Sequence, residues 1–308
     1  MISISHKSKQ FLVLLFKLLI VGSAFYFIMY KLTNNDQLHW DQSIILFQKK
    51  QSVFGLFFIF LCSILNRYLE ILKWQNLVSC FQIIYISEAT KQVLGALTTG
   101  LFTPNGLGEY AGKVVFFEKA KAKKIIFLNL ICNGIQMILT LLFGTIGLLF
   151  LGFGYWVLGI FIVFVFGILF YFLFKKIKIK GYSIEKLIQK INKIPKSIHQ
   201  KNMLLAFCRY LVFSHQYYFL FLFFDVDLPY LTMLATIASV YFLASSLPSF
   251  QFFDFAVKGS VAVYFFALLG VNEWIVILIS TLMWLFNVVF PALIGSYYVM
   301  NFKLKTTS

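Results

Sequence analysis

The stretch Thr103-Pro104-Asn105-Gly106-Leu107-Gly108-Glu109 interrupts an apolar segment that extends from residue 83 to residue 118. Proline lacks the backbone N–H that a helix requires, and glycine permits tight turns, so we expect this segment to divide into two half-helices. A second apolar segment, 229–271, contains Leu247-Pro248-Ser249 in mid-course and is expected to divide in the same way. The chain therefore carries two proline-broken segments.

The composition around these breaks is that of a membrane protein. Of the 308 residues 60% are hydrophobic and only 12% are charged, and the mean hydropathy is +0.85. Soluble domains carry about a quarter charged residues, so this composition excludes a soluble enzyme, a disordered chain and a fibrous repeat. The net charge of +16 comes almost entirely from lysines that bracket apolar runs, which indicates orientation in a membrane and not binding of nucleic acid.

Six further apolar runs are long enough to cross about 30 Å of hydrocarbon as helices. They are 11–30, 53–72, 125–151, 155–174, 203–224 and 274–300. Together with the two broken segments they predict an all-α polytopic membrane protein of about eight segments, folded as a single membrane domain over 1–308. Each broken segment is either a helical hairpin or a pair of full spans, and its break must be buried in protein or line a cavity.

The lysines predict the orientation of these segments. Eighteen of them, Lys73 included, lie on one side, and nine of the eighteen are in the basic loop 175–202; three lie on the other side. Because cytoplasmic loops carry the excess of lysine, we expect a multi-pass protein of the cell (inner or cytoplasmic) membrane with both termini and the basic loop in the cytoplasm. That loop is either an amphipathic helix on anionic headgroups or a solvated loop.

The two halves of the sequence share three ordered elements. Arg-Tyr-Leu occurs at 67–69 and at 209–211, and it uses the two arginines of the sequence. These arginines precede the two prolines by 37 and 39 residues, and an acidic-x-Ala-x-Lys pattern follows each proline, at 109–113 and 254–258. Residues 11–151 and 155–300 are therefore expected to form two inverted repeats. Inverted repeats with broken helices mark many secondary transporters, whose substrate site lies near the bilayer midplane.

The stretch Pro104-x-Gly106-x-Gly108-Glu109, together with Arg67, resembles the transmembrane flippase-like region of the lysylphosphatidylglycerol synthase family, in its stand-alone form without a synthase domain. The resemblance covers residues 11–300. It implies an eight-segment, two-repeat membrane domain that moves lipids between leaflets, with the quoted stretch as its functional motif. In the second half the chain keeps Pro248 and Asp254, but phenylalanines lie between them where the family has glycines.

Ionisable residues inside apolar segments form the candidate site. A charge at the centre of a bilayer costs at least about 2.5 kcal/mol and normally faces a protein interior or a water-filled cavity. The candidate substrate-binding residues are Arg67, Lys113, Arg209 and Lys258, the candidate coupling or gating residues are Glu70, Glu109 and Asp254, and the hairpin breaks are Pro104, Gly106, Gly108 and Pro248.

Two interpretations of these charges are open. Spacings of three or four residues allow each acid to pair with a base on its own helix, as Glu70 with Arg67, which makes the charges structural ion pairs. In the other interpretation they line a polar cavity, where the cations bind a phosphate and the acids switch or couple.

The function favoured by these patterns is a flippase or transporter that moves an anionic-headgroup lipid, or a lipid-linked substrate, between leaflets. The alternatives are an ion-coupled carrier of a small anion and a membrane-embedded transferase acting on a lipid-linked substrate. The sequence contains no HExxH, Walker or GxSxG motif, so we expect no enzymatic activity, no catalytic residue, no metal and no cofactor. The expected partners are anionic membrane lipids and no nucleic acid, with a homo-oligomer as an open alternative.

Overall fold

The computed structural model describes residues 53–101, 103, 106–177 and 183–301, together with Leu15, Tyr26 and Tyr30. The predicted span 11–30, apart from these three residues, lies outside the described part of the chain. Pro104 and both chain termini lie outside it as well.

The described part of the chain is helical and contains no β-strand. The helices are α1 (Val53–Val78), α2 (Ile86–Gly100), α3 (Leu107–Val115), α4 (Ala122–Phe150), α5 (Gly154–Phe174), α6 (Ile184–Asn192), α7 (Lys196–Phe223), α8 (Tyr230–Ser246), α9 (Asp254–Ala267), α10 (Glu273–Trp284) and α11 (Phe290–Met300). A π-helical turn, Leu285–Val289, joins α10 to α11, so that the two form one continuous helix. The predicted all-α fold is confirmed.

Four helices in the described residues are long and apolar enough to cross a membrane. They are Phe54–Val78, Lys119–Phe150, Gly154–Phe174 and Glu273–Met300, and they coincide with four of the predicted spans. Residues 203–223 of the predicted span 203–224 lie in α7, which is not among the four although it has 28 residues. Arg209, His215 and Gln216 lie inside this helix and lower its hydropathy.

Both proline-broken segments are divided as predicted. Residues 83–118 form α2 and α3, with 15 and 9 residues, and residues 229–271 form α8 and α9, with 17 and 14 residues. Helix α2 packs against α3, and α8 packs against α9. None of the four reaches the roughly 20 residues that a helix needs to cross the hydrocarbon by itself.

Helices α1 and α4 each contribute side chains to two hydrophobic cores. Along α1, Ile59 belongs to the first core and Trp74 to the second, and Arg67 lies between them. Along α4, Leu148 belongs to the first core and Ile125 to the second. The polar residues in the middle of these helices therefore lie between two apolar layers.

Candidate functional site

A cavity of about 560 Å³ lies between the two cores, lined by residues of α1 to α4, of α7 to α10 and of both hairpin breaks. The predicted site residues that line it are Arg67, Glu70, Gly106, Glu109, Arg209, Asp254 and Lys258. Lys113, Gly108 and Pro248 are not part of the lining. The cavity thus brings charged residues from both halves of the sequence into one space.

Arg209 is held by three side chains from two neighbouring helices. It lies near the middle of α7, which packs along α1. Its guanidinium forms a salt bridge of 2.9 Å with Glu70, donates to Asn66 Oδ1 at 3.0 Å and donates to Gln136 Oε1 at 3.4 Å. A charge-assisted pair of this kind is stronger than a neutral hydrogen bond. Arg209 is therefore a fixed, compensated cation.

Arg67 has a different environment, although it too lies near the middle of its helix. Its guanidinium donates to the backbone carbonyl of Asn287 in the π-helical turn. The residue four positions after Asn287 is Pro291, which has no N–H and so cannot form the α-helical bond to this carbonyl. Nε of Arg67 is buried without a hydrogen-bond acceptor in the described structure.

Glu70 does not pair with Arg67 on its own helix, as the spacing had suggested. The carboxylate is buried and contacts Arg209 from α7 and, at 3.3 Å, Nζ of Lys73. Lys73, which the lysine count assigned to the cytoplasmic side, is fully buried in the protein near the carboxyl end of α1 and is not part of an exposed loop. Helix α1 continues to Val78, beyond the predicted end of the span at residue 72, and carries this lysine into the protein.

Lys113 also differs from its predicted pairing with Glu109. Its side chain is only 2% exposed, and Nζ donates to Asn129 Oδ1 at 2.6 Å while it lies 4.2 Å from the ring centroid of Trp74. The partners come from α4 and α1, on the side of α3 that packs into the second core. Lys113 is therefore a buried cation behind the cavity and not part of its wall.

The two hairpin breaks meet at the cavity. The backbone N–H of Phe252 donates to the carbonyl of Leu101 at 2.9 Å, and Gln251 Nε2 donates to Glu109 Oε1 at 3.1 Å. A Cβ atom at Gly108 would overlap the backbone carbonyl of Thr99, so glycine is required where α3 returns along α2. The predicted break residue Gly108 therefore acts in closing the first hairpin.

Asp254 and Lys258 form the ion pair that their spacing predicted, one turn apart on α9. The Lys258 side chain is 36% exposed, and its Nζ lies 5.8 Å from the ring centroid of Tyr241. This acid is therefore neutralised by its own helix, whereas Glu109 receives a neutral amide donor from the opposite hairpin.

Neutral amides of the site were missed by the sequence reasoning. Asn66 donates to Asn287 Oδ1 at 2.6 Å, and Asn287 donates to Gln216 Oε1 at 3.0 Å. With the bond from Arg209 to Asn66, these contacts join the two arginines in one network. Asparagine and glutamine inside apolar runs, as Gln136 in α4, are the sequence signal that could have identified this network.

No family model, curated protein or solved structure matches this chain. Within the described residues, no group of three histidine, cysteine, aspartate or glutamate side chains is placed to hold a metal ion. The chemistry that the site offers is therefore that of guanidinium, ammonium, carboxylate and amide groups in a cavity between apolar layers.

Proposed function

We propose that this chain is an integral membrane flippase that moves an anionic-headgroup lipid, or a lipid-linked substrate, between the two leaflets. The observation that carries the proposal is the cavity, in which Arg67 and Arg209 face two broken hairpins within a set of apolar helices. Charged residues within apolar membrane segments are energetically costly, and they commonly mark a transport pathway or a binding site.

The packing of the helices supports the two inverted repeats on which this proposal depends. Exchange of the halves relates α1 to α7, the hairpin α2–α3 to the hairpin α8–α9, and α4 to the continuous helix α10–α11. Under that exchange the contact of α1 with α7 is retained, and the contact of α2 with α11 corresponds to that of α8 with α4. In the proposed topology both hairpins are re-entrant, and both termini and the loop 175–202 are cytoplasmic.

The proposed substrate contact is a phosphate on the arginine network. A guanidinium stays protonated and binds phosphate oxygens with two parallel hydrogen bonds, which suits a headgroup in a partly dehydrated cavity. Arg67 has an unpaired N–H there, whereas Arg209 is compensated by Glu70. In this mechanism the headgroup crosses between the hairpin breaks while the acyl chains stay in lipid.

The test measures movement of headgroup-labelled anionic lipids in liposomes that contain the purified full chain. Arg67→Ala removes the guanidinium and is expected to reduce lipid movement by about a hundredfold, the effect of losing a desolvated charged contact. Tyr68→Ala, at the adjacent exposed position of the same helix, is the matched control and should retain normal movement.

The alternatives give different results in the same vesicles. Uptake of labelled inorganic phosphate without lipid movement would identify an ion-coupled carrier of a small anion. A chemically altered lipid after incubation with lipid-linked sugars would identify a transferase. Normal lipid movement by Arg67→Ala would return Arg67 to a structural role and remove the support that the cavity gives to the proposal.

A further inference from the structure

The ionisable groups in and directly behind the cavity carry an excess of positive charge. Among the described residues, the cations are Arg67, Lys73, Lys113, Arg209 and Lys258, and the carboxylates are Glu70, Glu109 and Asp254. The three acids leave two of the five positive charges uncompensated. Lys73 and Lys113 are almost completely buried, so bulk solvent does not screen this excess.

The excess of positive charge is concentrated around Glu70. The one carboxylate contacts both Arg209 and Lys73, and Lys113 and Arg67 lie close enough to act on it electrostatically. A buried ion without a partner carries a penalty of several kcal/mol, so four cations around one acid favour the entry of an anion. The pair of Asp254 and Lys258 contributes no net charge.

A surplus of hydrogen-bond donors gives a second, independent indication. Among the described residues that line the cavity, three buried donors lack acceptors, Nε of Arg67, Nε2 of Gln136 and Nε1 of Trp284, whereas one buried acceptor, Oε1 of Gln251, lacks a donor. The orientation of the Gln136 amide is fixed, because its oxygen accepts from Arg209, which can only donate. Donors without a partner therefore outnumber acceptors without one in this lining, and the oxygens of a phosphate are acceptors.

We propose that the substrate of this cavity ends in a doubly charged phosphate, a phosphomonoester, and not in a phosphodiester. This inference rests on the proposed function and specifies the lipid headgroup. A phosphomonoester carries a charge of about −1.5 to −2 near neutral pH and presents three acceptor oxygens, whereas a diester carries one negative charge. The dianion matches the charge excess of two, and its oxygens are acceptors in a cavity where orphaned donors outnumber orphaned acceptors.

A matched pair of ligands tests the proposal directly. Dodecyl phosphate and methyl dodecyl phosphate share one alkyl chain and differ in a single negative charge. Their binding to the purified full chain in a non-ionic detergent is measured at neutral pH. The monoester is expected to bind about tenfold more tightly, the factor that one additional charge-assisted contact carries. Equal affinity, or tighter binding of the methyl diester, would overturn the inference.

Lys73→Met removes one buried charge and leaves the amides of the site bonded, because Glu70 is the side chain to which Lys73 Nζ donates among the described residues. It is expected to lower the preference for the monoester severalfold, whereas Lys91→Met, at an exposed position of α2, should leave the preference unchanged. A preference that survives Lys73→Met intact would show that the charge excess does not select the ligand.

Two further arms separate this inference from the proposed function. Displacement of dodecyl phosphate by inorganic phosphate at a comparable concentration supports the dianionic site but assigns it to a soluble phosphate. A monoester preference in binding without any lipid movement supports the inference and contradicts the flippase. Equal movement and equal binding of monoester and diester lipids contradict the inference and leave the flippase in place.

Discussion

The two acidic-x-Ala-x-Lys stretches have the same pattern but different chemistry. In the second half, Asp254 and Lys258 form an ion pair on α9, and the lysine is partly exposed. In the first half Lys113 is buried against Trp74 and bonded to Asn129, so Glu109 is left with the amide of Gln251. The same spacing thus gives a self-neutralised pair in one half and two separated charges in the other.

The two Arg-Tyr-Leu stretches differ in a related way. Glu70 follows Arg67 by three residues, whereas Val212 stands at the corresponding position after Arg209. The carboxylate of Glu70 binds the arginine of the second half at 2.9 Å, and Arg67 donates to a backbone carbonyl instead. The comparison teaches that the matching arginines of the two halves line the same cavity, but that their charges are compensated by residues from either half.

The largest effect is expected from Glu70→Gln, which removes the salt bridge between Glu70 of the first half and Arg209 of the second half. Arg209 and Lys73 would lose their carboxylate inside the protein, and removal of one partner of a buried ion pair costs about 3–5 kcal/mol. Melting temperatures of the purified variants in detergent measure the loss. Glu118→Gln is the control, since Glu118 also pairs with a lysine three residues later, Lys121, but on the surface. Its cost should stay within about 1 kcal/mol, and equal shifts for the two variants would contradict a buried role for Glu70.

A smaller effect is expected from Gly108→Ala, which tests the close packing of the two helices of the first hairpin. The new methyl group would overlap the carbonyl of Thr99, and overpacking of this kind costs about 1–3 kcal/mol. Gly159→Ala on α5 meets no other atom and should raise stability slightly, because alanine favours the helix. The signs of the two melting shifts therefore differ, and a stabilised Gly108→Ala variant would refute the close packing of α2 and α3.

The smallest effect is expected from variants that compare the two acids Glu109 and Asp254. Glu109→Gln removes a carboxylate that forms no salt bridge with any described residue, and it is expected to slow lipid movement about tenfold, equivalent to 1.4 kcal/mol. Asp254→Asn leaves Lys258 partly exposed and hydrated, so movement should change by no more than a few fold. Liposome assays of both variants, at matched protein levels, measure the ratio. Equal losses would show that the two acids share one role despite their different partners.

Features that depend on local sequence could be predicted. The apolar runs and the two broken segments follow from composition and from proline chemistry, and both divisions are present in the structure. The rule that a charge in an apolar segment faces inward led to Arg67, Arg209 and the acids, which line one cavity.

The choice of partners could not be predicted, because it is decided by residues distant in the chain. Lys113 bonds to Asn129 on another helix, and the acceptor of Arg67 is the backbone carbonyl of Asn287, 220 residues later in the chain. The burial of Lys73 could not be predicted either, because a lysine at the end of an apolar run looks the same whether it enters a loop or meets a buried acid. Spacing gives the candidates for a pair, and tertiary packing selects among them.

The bond from the Phe252 N–H to the Leu101 carbonyl joins the two hairpins through main-chain atoms alone. Side chains at both positions can therefore change over evolutionary time without loss of this junction, and proline at position 252 is the substitution that deletes the donor. This tolerance explains how the second hairpin break, which is rich in phenylalanine, still meets the first hairpin break, which is rich in glycine. The junction depends on a backbone donor and a backbone acceptor, so substitutions of the side chains around it can change the lining of the cavity while the two hairpins stay joined.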